Sequence, residues 1–261
     1  MDMMRLMLSS PTPLAGRSAR PTMESRAPRG GLVPRTSGII FDTADVLYDD
    51  TLWRRRLWQT AARLGVRAEY ARWFAAWDDD YLPAVNCGRR EPIEALQAFL
   101  LSAGLSWAKI DEIAADSLLD RRPGTTVLRP LSGVVATITR LTELGIPLVA
   151  WADSAEPAGR LAERLDRLGL AGRFRACLTS LDLEAAQPDP RCYLAALACL
   201  HSAAGDTLYV GHDPLHLAGA QRAGLITVAF NHAAGTVASY ELERFADLVD
   251  VAVGRRAGGP A

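Results

Sequence analysis

The side chains able to do chemistry in this chain gather around one carboxylate and two imidazoles. Asp42 closes the apolar run Gly38-Ile39-Ile40-Phe41. His212 and His216 stand one helical turn apart in Val210-Gly211-His212-Asp213-Pro214-Leu215-His216, with Asp213 beside the first. Gln187 opens the string Gln187-Pro188-Asp189-Pro190, and Ala152-Asp153-Ser154 follows Val149-Ala150-Trp151. A carboxylate can attack phosphorus or carbon and then be released by water. An aspartate after a strand can also do no more than cap a turn or a helix. Imidazole suits zinc, iron or nickel, whereas Mg²⁺ prefers hard oxygen donors. The histidine string therefore leaves two readings open. One is a transition-metal site of His212, His216, Asp213 and Asp42. The other is a neutral histidine turn hydrogen-bonded to its own helix start.

These residues act together only if the fold brings them together. Gly38–Phe41 reads as a buried strand running straight into Asp42. Helical spacing follows: Leu52, Trp53, Leu57, Trp58, Ala61 and Leu64 recur on one face, and Tyr70–Tyr81, Pro92–Ala103 and Ser106–Leu119 read as further helices. From about Val127 short apolar strands alternate with helices. Strands are expected at Ile146–Trp151, Ala176–Thr179, Thr207–Val210 and Ile226–Phe230. Helices are expected at Pro157–Leu168, Asp189–Leu200, Leu215–Ala223 and Val237–Leu248. That alternation implies an α/β fold, a parallel sheet with helices on both faces. Ligands of such sheets bind beyond the carboxyl ends of the strands. Asp42, Ala152, Gln187 and His212 each follow a strand or its next loop, and so should converge.

At 261 residues with 49% apolar content, the chain can bury one good core and a smaller second one. A net charge of −1 gives no footprint for nucleic acid or a membrane surface. No apolar run reaches the ~18 residues of a spanning helix. Cys87, Cys177, Cys192 and Cys199 lack paired-ligand spacing and read as reduced core thiols of a cytoplasmic protein. Residues 1–36 and 251–261 read as disordered tails. The first is arginine-rich and acid-poor, which leaves open a transit peptide or a start at Met23. The tryptophans of the helical stretch read as packing of a small bundle.

The strings around Asp42, Gln187 and Val210–Gly224 resemble those of the haloacid dehalogenase-like hydrolase superfamily, over roughly residues 37–248. The resemblance implies a Rossmann-like core of residues 37–48 and 125–250, with a helical cap of residues 49–124 inserted after the first strand. It assigns Asp42 as nucleophile. The phosphatases of that superfamily place a general acid two residues on, where this chain has Ala44, and a glycine next, where it has Asp45. They place a phosphate-binding Ser or Thr at Ala152, followed by Asn at Asp153, and a charge-neutralising lysine at Gln187. Two acids that hold Mg²⁺ correspond to His212 and His216. Mg²⁺ is the cofactor the resemblance implies, through Asp42 and either Asp213 or His212, although most of its ligands are replaced. Asp42 and Gln187 are thus the expected catalytic positions, and Ala44, Trp151, Asp153 and Ser154 the expected substrate-binding ones. Ser154 either substitutes for the missing hydroxyl or caps the following helix. Lys109, the only lysine, corresponds either to a Schiff-base lysine of carbon–phosphorus cleaving relatives or to a surface side chain. The expected function is a diverged hydrolase acting through Asp42 on a small organic or phosphonate-like substrate. The alternative is an inactive member kept as a binding module for a protein partner.

Overall fold

The structure, a computed structural model, describes residues 36–120 and 128–255. Strand β1 (Gly38–Asp42) is buried along its whole length. Five helices follow it: α1 (Leu52–Arg63), α2 (Tyr70–Asp80), α3 (Leu82–Asn86), α4 (Pro92–Ser102) and α5 (Trp107–Asp120). Their apolar faces close on a core of their own. It includes Leu57, Trp73, Phe74, Trp77, Leu96, Phe99, Ile110 and Ile113. Trp58 packs on Trp73, and Trp73 on Phe99, with ring centroids 5.4 and 4.6 Å apart, so these indoles serve packing. Asp78, in the last turn of α2, receives a two-pronged contact from Arg54.

The remainder mostly alternates helix and strand: α6 (Val134–Glu143), β2 (Leu148–Ala152), α7 (Ala158–Leu165), β3 (Ala176–Thr179), α8 (Ser180–Leu183), α9 (Pro190–Leu200), β4 (Thr207–Gly211), α10 (Pro214–Arg222), β5 (Ile226–Phe230), β6 (Tyr240–Leu242) and α11 (Leu248–Ala252). The six strands form one parallel sheet in the order β3-β2-β1-β4-β5-β6. Side chains of a strand alternate between faces. Ile39 and Phe41 therefore join Leu148, Ala150, Leu208 and Val210 in one layer, covered by α6, α7 and α11. Ile40 joins Val149, Trp151 and Tyr209 in the other, covered by α9 and α10. The chain enters the sheet at β1, builds outward through β2 and β3, and crosses back to β4. Adjacent strands thus lead away in opposite directions at β1 and β4, the place where such sheets open a binding crevice.

Three expectations need correction. The closing helix over Val237–Leu248 is not formed: Tyr240–Leu242 adds a sixth strand by pairing with Val228–Phe230, and only Leu248–Ala252 is α-helical. The short apolar spacing there serves strand and turn equally well, and the open edge of β5 decides it. The helix expected to reach Leu168 ends its α-helical part at Leu165 and continues as a π turn, Asp166–Leu170. Finally, Thr36 is no tail residue. It is buried, its N–H donates to the Ala252 carbonyl, and its hydroxyl lies against the carbonyls of Gly38 and Asp206. The expected C-terminal tail is likewise folded at its start, where Val251 and Ala252 are buried in α11; the rest of the expected N-terminal tail, and residues 256–261, lie outside the described residues. Among the described residues no helix is long and apolar enough to cross a membrane.

Candidate active site

Asp42 ends β1 with its side chain 7% exposed, at the carboxyl edge of the sheet. Its Oδ1 accepts the Thr43 N–H at 2.7 Å. Its Oδ2 faces two rings: Nδ1 of His216 lies 3.5 Å away and Nδ1 of His212 3.7 Å away. The start of α10 delivers both. Pro214 occupies the first helical turn, and Asp213 caps it, its Oδ1 accepting the N–H groups of Leu215 (2.7 Å) and His216 (3.0 Å). The Tyr193 hydroxyl donates to the His216 carbonyl at 2.8 Å and ties the same turn to α9.

The far side of the His216 ring meets a second acid. Its Nε2 is 3.6 Å from Oδ2 of Asp153, just beyond β2. Asp153 is fixed through its other oxygen, which accepts the Trp151 indole N–H at 3.0 Å and the Gln187 backbone N–H at 3.2 Å. Gln187 in turn accepts the Tyr209 hydroxyl on its amide oxygen at 3.2 Å. Strands β1, β2 and β4 and the loop before α9 are thus joined through one ring.

Burial pushes the Asp153 carboxyl up to about 6; the Asp42 charge adds to this and His216 opposes it. Burial also works against charge on His216. The hydrogen bond and charge of Asp42, with the charges of Asp153 and Asp213, outweigh it and raise the imidazole to about 9. Geometry agrees: with both acids ionised, a ring whose two nitrogens face carboxylate oxygens satisfies both only when each nitrogen carries a proton. Near neutral pH the ring is an imidazolium between two acids, not the neutral turn that its sequence position allowed.

A cleft of about 1410 Å³ opens over this group, lined from the sheet by Asp42, Ala44, Asp153, Ser154, Gln187, His212, Asp213 and His216 and from the helical insertion by residues including Trp53, Leu57, Trp77 and Val85. Of the expected substrate-binding residues, Ala44, Asp153 and Ser154 line it. Trp151 does not: it is fully buried beneath the site, where its indole positions Asp153. Ser154 caps no helix; its hydroxyl accepts the Glu156 N–H in a local turn, and its own N–H donates to Ser180 Oγ. Asp45 also lines the cleft, with φ +55°, the left-handed conformation that glycine and aspartate tolerate. Its carboxylate accepts the Asp50 N–H. Lys109 donates to the Leu64 carbonyl at the end of α1, and Arg191 pairs with Asp189 at the start of its own helix.

The donor set does not fit Mg²⁺. Asp213 commits Oδ1 to the α10 cap, two imidazoles stand where oxygen donors are needed, and a cationic ring fills the space between Asp42 and Asp153. The transition-metal reading meets the same ring: among the described residues no three His, Cys, Asp or Glu side chains are placed to hold an ion. His216 bridging two acids, the Tyr209 support of Gln187 and the Ser180 hydroxyl escaped the sequence reading. His216 was visible as part of the string, but nothing in sequence told that Asp153 would lie on its other side.

A model of the haloacid dehalogenase-like hydrolases matches residues 36–224, and the chain belongs to that family. A glyceraldehyde 3-phosphate phosphatase of Methanopyrus kandleri is 29% identical over 135 residues, which cover 48% of this chain and 57% of that protein; the match spans little more than half of the relative's length. Among solved structures, a 2-haloacid dehalogenase from Pseudomonas syringae superposes with a TM-score of 0.56 at 22% identity, covering 84% of this chain and 98% of the other. A β-phosphoglucomutase described from Thermotoga maritima gives 0.56 at 17% identity, covering 82% and 97%. At these identities the likeness is one of fold.

Proposed function

We propose that the chain is a hydrolase in which Asp42 attacks a small organic or phosphonate-like substrate held beneath a helical cap formed by α1–α5. One observation carries this reading: a buried carboxylate at the carboxyl edge of the sheet keeps one oxygen toward the cleft, against two imidazoles. Ala44 beside it can donate no proton. A general acid is worth ~10²–10⁴-fold where the leaving group needs one. The substrate class that suits the site is therefore one whose leaving group departs as a stable anion, as a halide does and an alkoxide does not. The dehalogenase neighbours act in that class by their names; the phosphatase relative does not.

In the first step Asp42 Oδ2 forms a bond to the substrate carbon or phosphorus, and the leaving group departs with the bonding pair. In the second, water cleaves the enzyme ester, regenerates the Asp42 carboxylate and releases one proton. His212 Nδ1, buried, without a hydrogen-bond partner and 3.7 Å from Asp42 Oδ2, is placed to take that proton. A single turnover in H₂¹⁸O tests the scheme with a panel of 2-haloacids, phosphonates and phosphate esters. With 2-haloacids label should enter Asp42 itself, because water attacks the carboxyl carbon of the ester, whereas with phosphonates and phosphate esters it should leave in the released phosphate; Asp42→Asn should lose at least ~10³-fold in rate. The second reading, a binding module without turnover, is favoured by Gln187, whose amide is engaged by Tyr209 and carries no charge. Absence of turnover across the panel, together with unaltered ligand binding in Asp42→Asn, would select it.

A further inference from the structure

We propose that His216 takes the place of a divalent cation in this site: its ring is a built-in counter-charge between the Asp42 and Asp153 carboxylates, and His216→Asp turns the same space into a Mg²⁺ site. Its catalytic half rests on Asp42 being the reacting carboxylate; its metal-binding half does not.

The ring is held from every side. Oδ2 of Asp42 approaches one nitrogen at 3.5 Å and Oδ2 of Asp153 the other at 3.6 Å. Both acids are anchored through their remaining oxygens, Asp42 by the Thr43 N–H and Asp153 by the Trp151 indole and the Gln187 N–H. The backbone of His216 is fixed by the Asp213 cap and the Tyr193 hydroxyl. Among the described residues no lysine or arginine pairs with Asp42 or Asp153, so the His216 ring is the cationic group between them. Without such a cation two buried carboxylates would face each other in a medium where like charges repel strongly. The carboxylate of Asp42 is thereby kept available as an anion without a metal bond that would draw off its electron density.

Deleting the ring reverses the situation. In His216→Asp the helix cap is untouched, and a third carboxylate points into the space between Asp42 and Asp153. Three oxygen-donor side chains around one point, with no cation among them, are what Mg²⁺ seeks. Melting curves of the full chain with and without MgCl₂, after treatment with chelator, provide the test. For the native protein the expected result is no change in melting temperature with Mg²⁺. For His216→Asp it is a lowered melting temperature that Mg²⁺ restores, by roughly 5–10 °C at a hundredfold excess over its dissociation constant. His216→Asn, which removes the charge without adding an oxygen anion, should be destabilised and stay indifferent to Mg²⁺. A native protein that melts higher in Mg²⁺ overturns the proposal. So does a His216→Asp protein, folded by circular dichroism, whose melting Mg²⁺ leaves unmoved. If His216→Asp fails to fold without metal, folding on addition of Mg²⁺ supports the proposal, and failure to fold with it overturns the metal half. None of these readings needs a substrate, so a wrong assignment of Asp42 as nucleophile would leave them intact and show itself in the ¹⁸O experiment alone.

Discussion

Asp153 occupies a place where its resemblance implies an amide, and the change is coherent only with the change at His216. An uncharged partner would leave the imidazolium with one acid; an aspartate supplies the second, at 3.6 Å. Trp151 belongs to the same device, because its indole N–H is one of two donors that hold Asp153 Oδ1. Trp151→Phe keeps most of the apolar volume and removes that donor. Loss of a hydrogen bond to a buried charged group costs about 1.5–3 kcal/mol, and the Asp153 carboxyl should move above its present value of about 6. Urea unfolding at pH 7 measures the first effect and carboxyl titration by NMR the second. An unchanged titration of Asp153 would mean that the indole does not support it. At this scale the sequence exposed Asp42 through the apolar run before it and the histidines through their string. It did not show the pairing, since Asp153 and His216 meet only across two strands.

At the scale of elements, α10 matters most, because it carries the ring. Gly219 lies one turn after His216 on that helix. A Cβ there would come within 2.6 Å of both Pro188 Cβ and the Tyr193 hydroxyl oxygen. Gly219→Ala must therefore push α10 away from α9 and from the Gln187 loop, or displace the Tyr193 hydroxyl that holds the His216 carbonyl. Overpacking of this kind costs about 1–3 kcal/mol. The expected signature is a lower melting temperature together with a His216 imidazole whose titration moves back toward the ordinary 6.5. A crystal structure of the variant with α10 unmoved would refute it. Elements of this kind were legible in sequence where one period dominates: β3 and β5 fall where the alternation of apolar runs places them, and the starts of α2 and α4 coincide with their helical spacing. The failure at β6 has a physical cause. A three-residue edge strand carries too little periodicity to be told from a helix, and its pairing with β5 is a tertiary fact.

For the molecule as a whole, the bridging ring ties stability to pH in a direction that can be worked out. The His216 imidazole is raised in the folded chain from 6.5 to about 9. Between these values the folded state holds a proton that the unfolded state has released. The stabilisation is therefore fully present below pH 6.5 and is lost as pH rises through about 9. That shift corresponds to an effect on the order of 3 kcal/mol at most. Asp153, raised from 3.8 to about 6, acts in the same direction at lower pH, so its contribution also fades as pH rises, before the histidine window opens. The half-buried thiol of Cys177 and the buried thiol of Cys192, pushed up by desolvation to about 11 and about 12, add a similar loss only once unfolded thiols begin to ionise near 9. The interval from 6.5 to 9 thus isolates His216. Unfolding free energies from urea titrations at fixed ionic strength should fall across that interval in the native chain and run nearly flat in His216→Asn. Equal slopes in the two proteins would show that the ring is not the charged link between β1 and β2 that the geometry makes it.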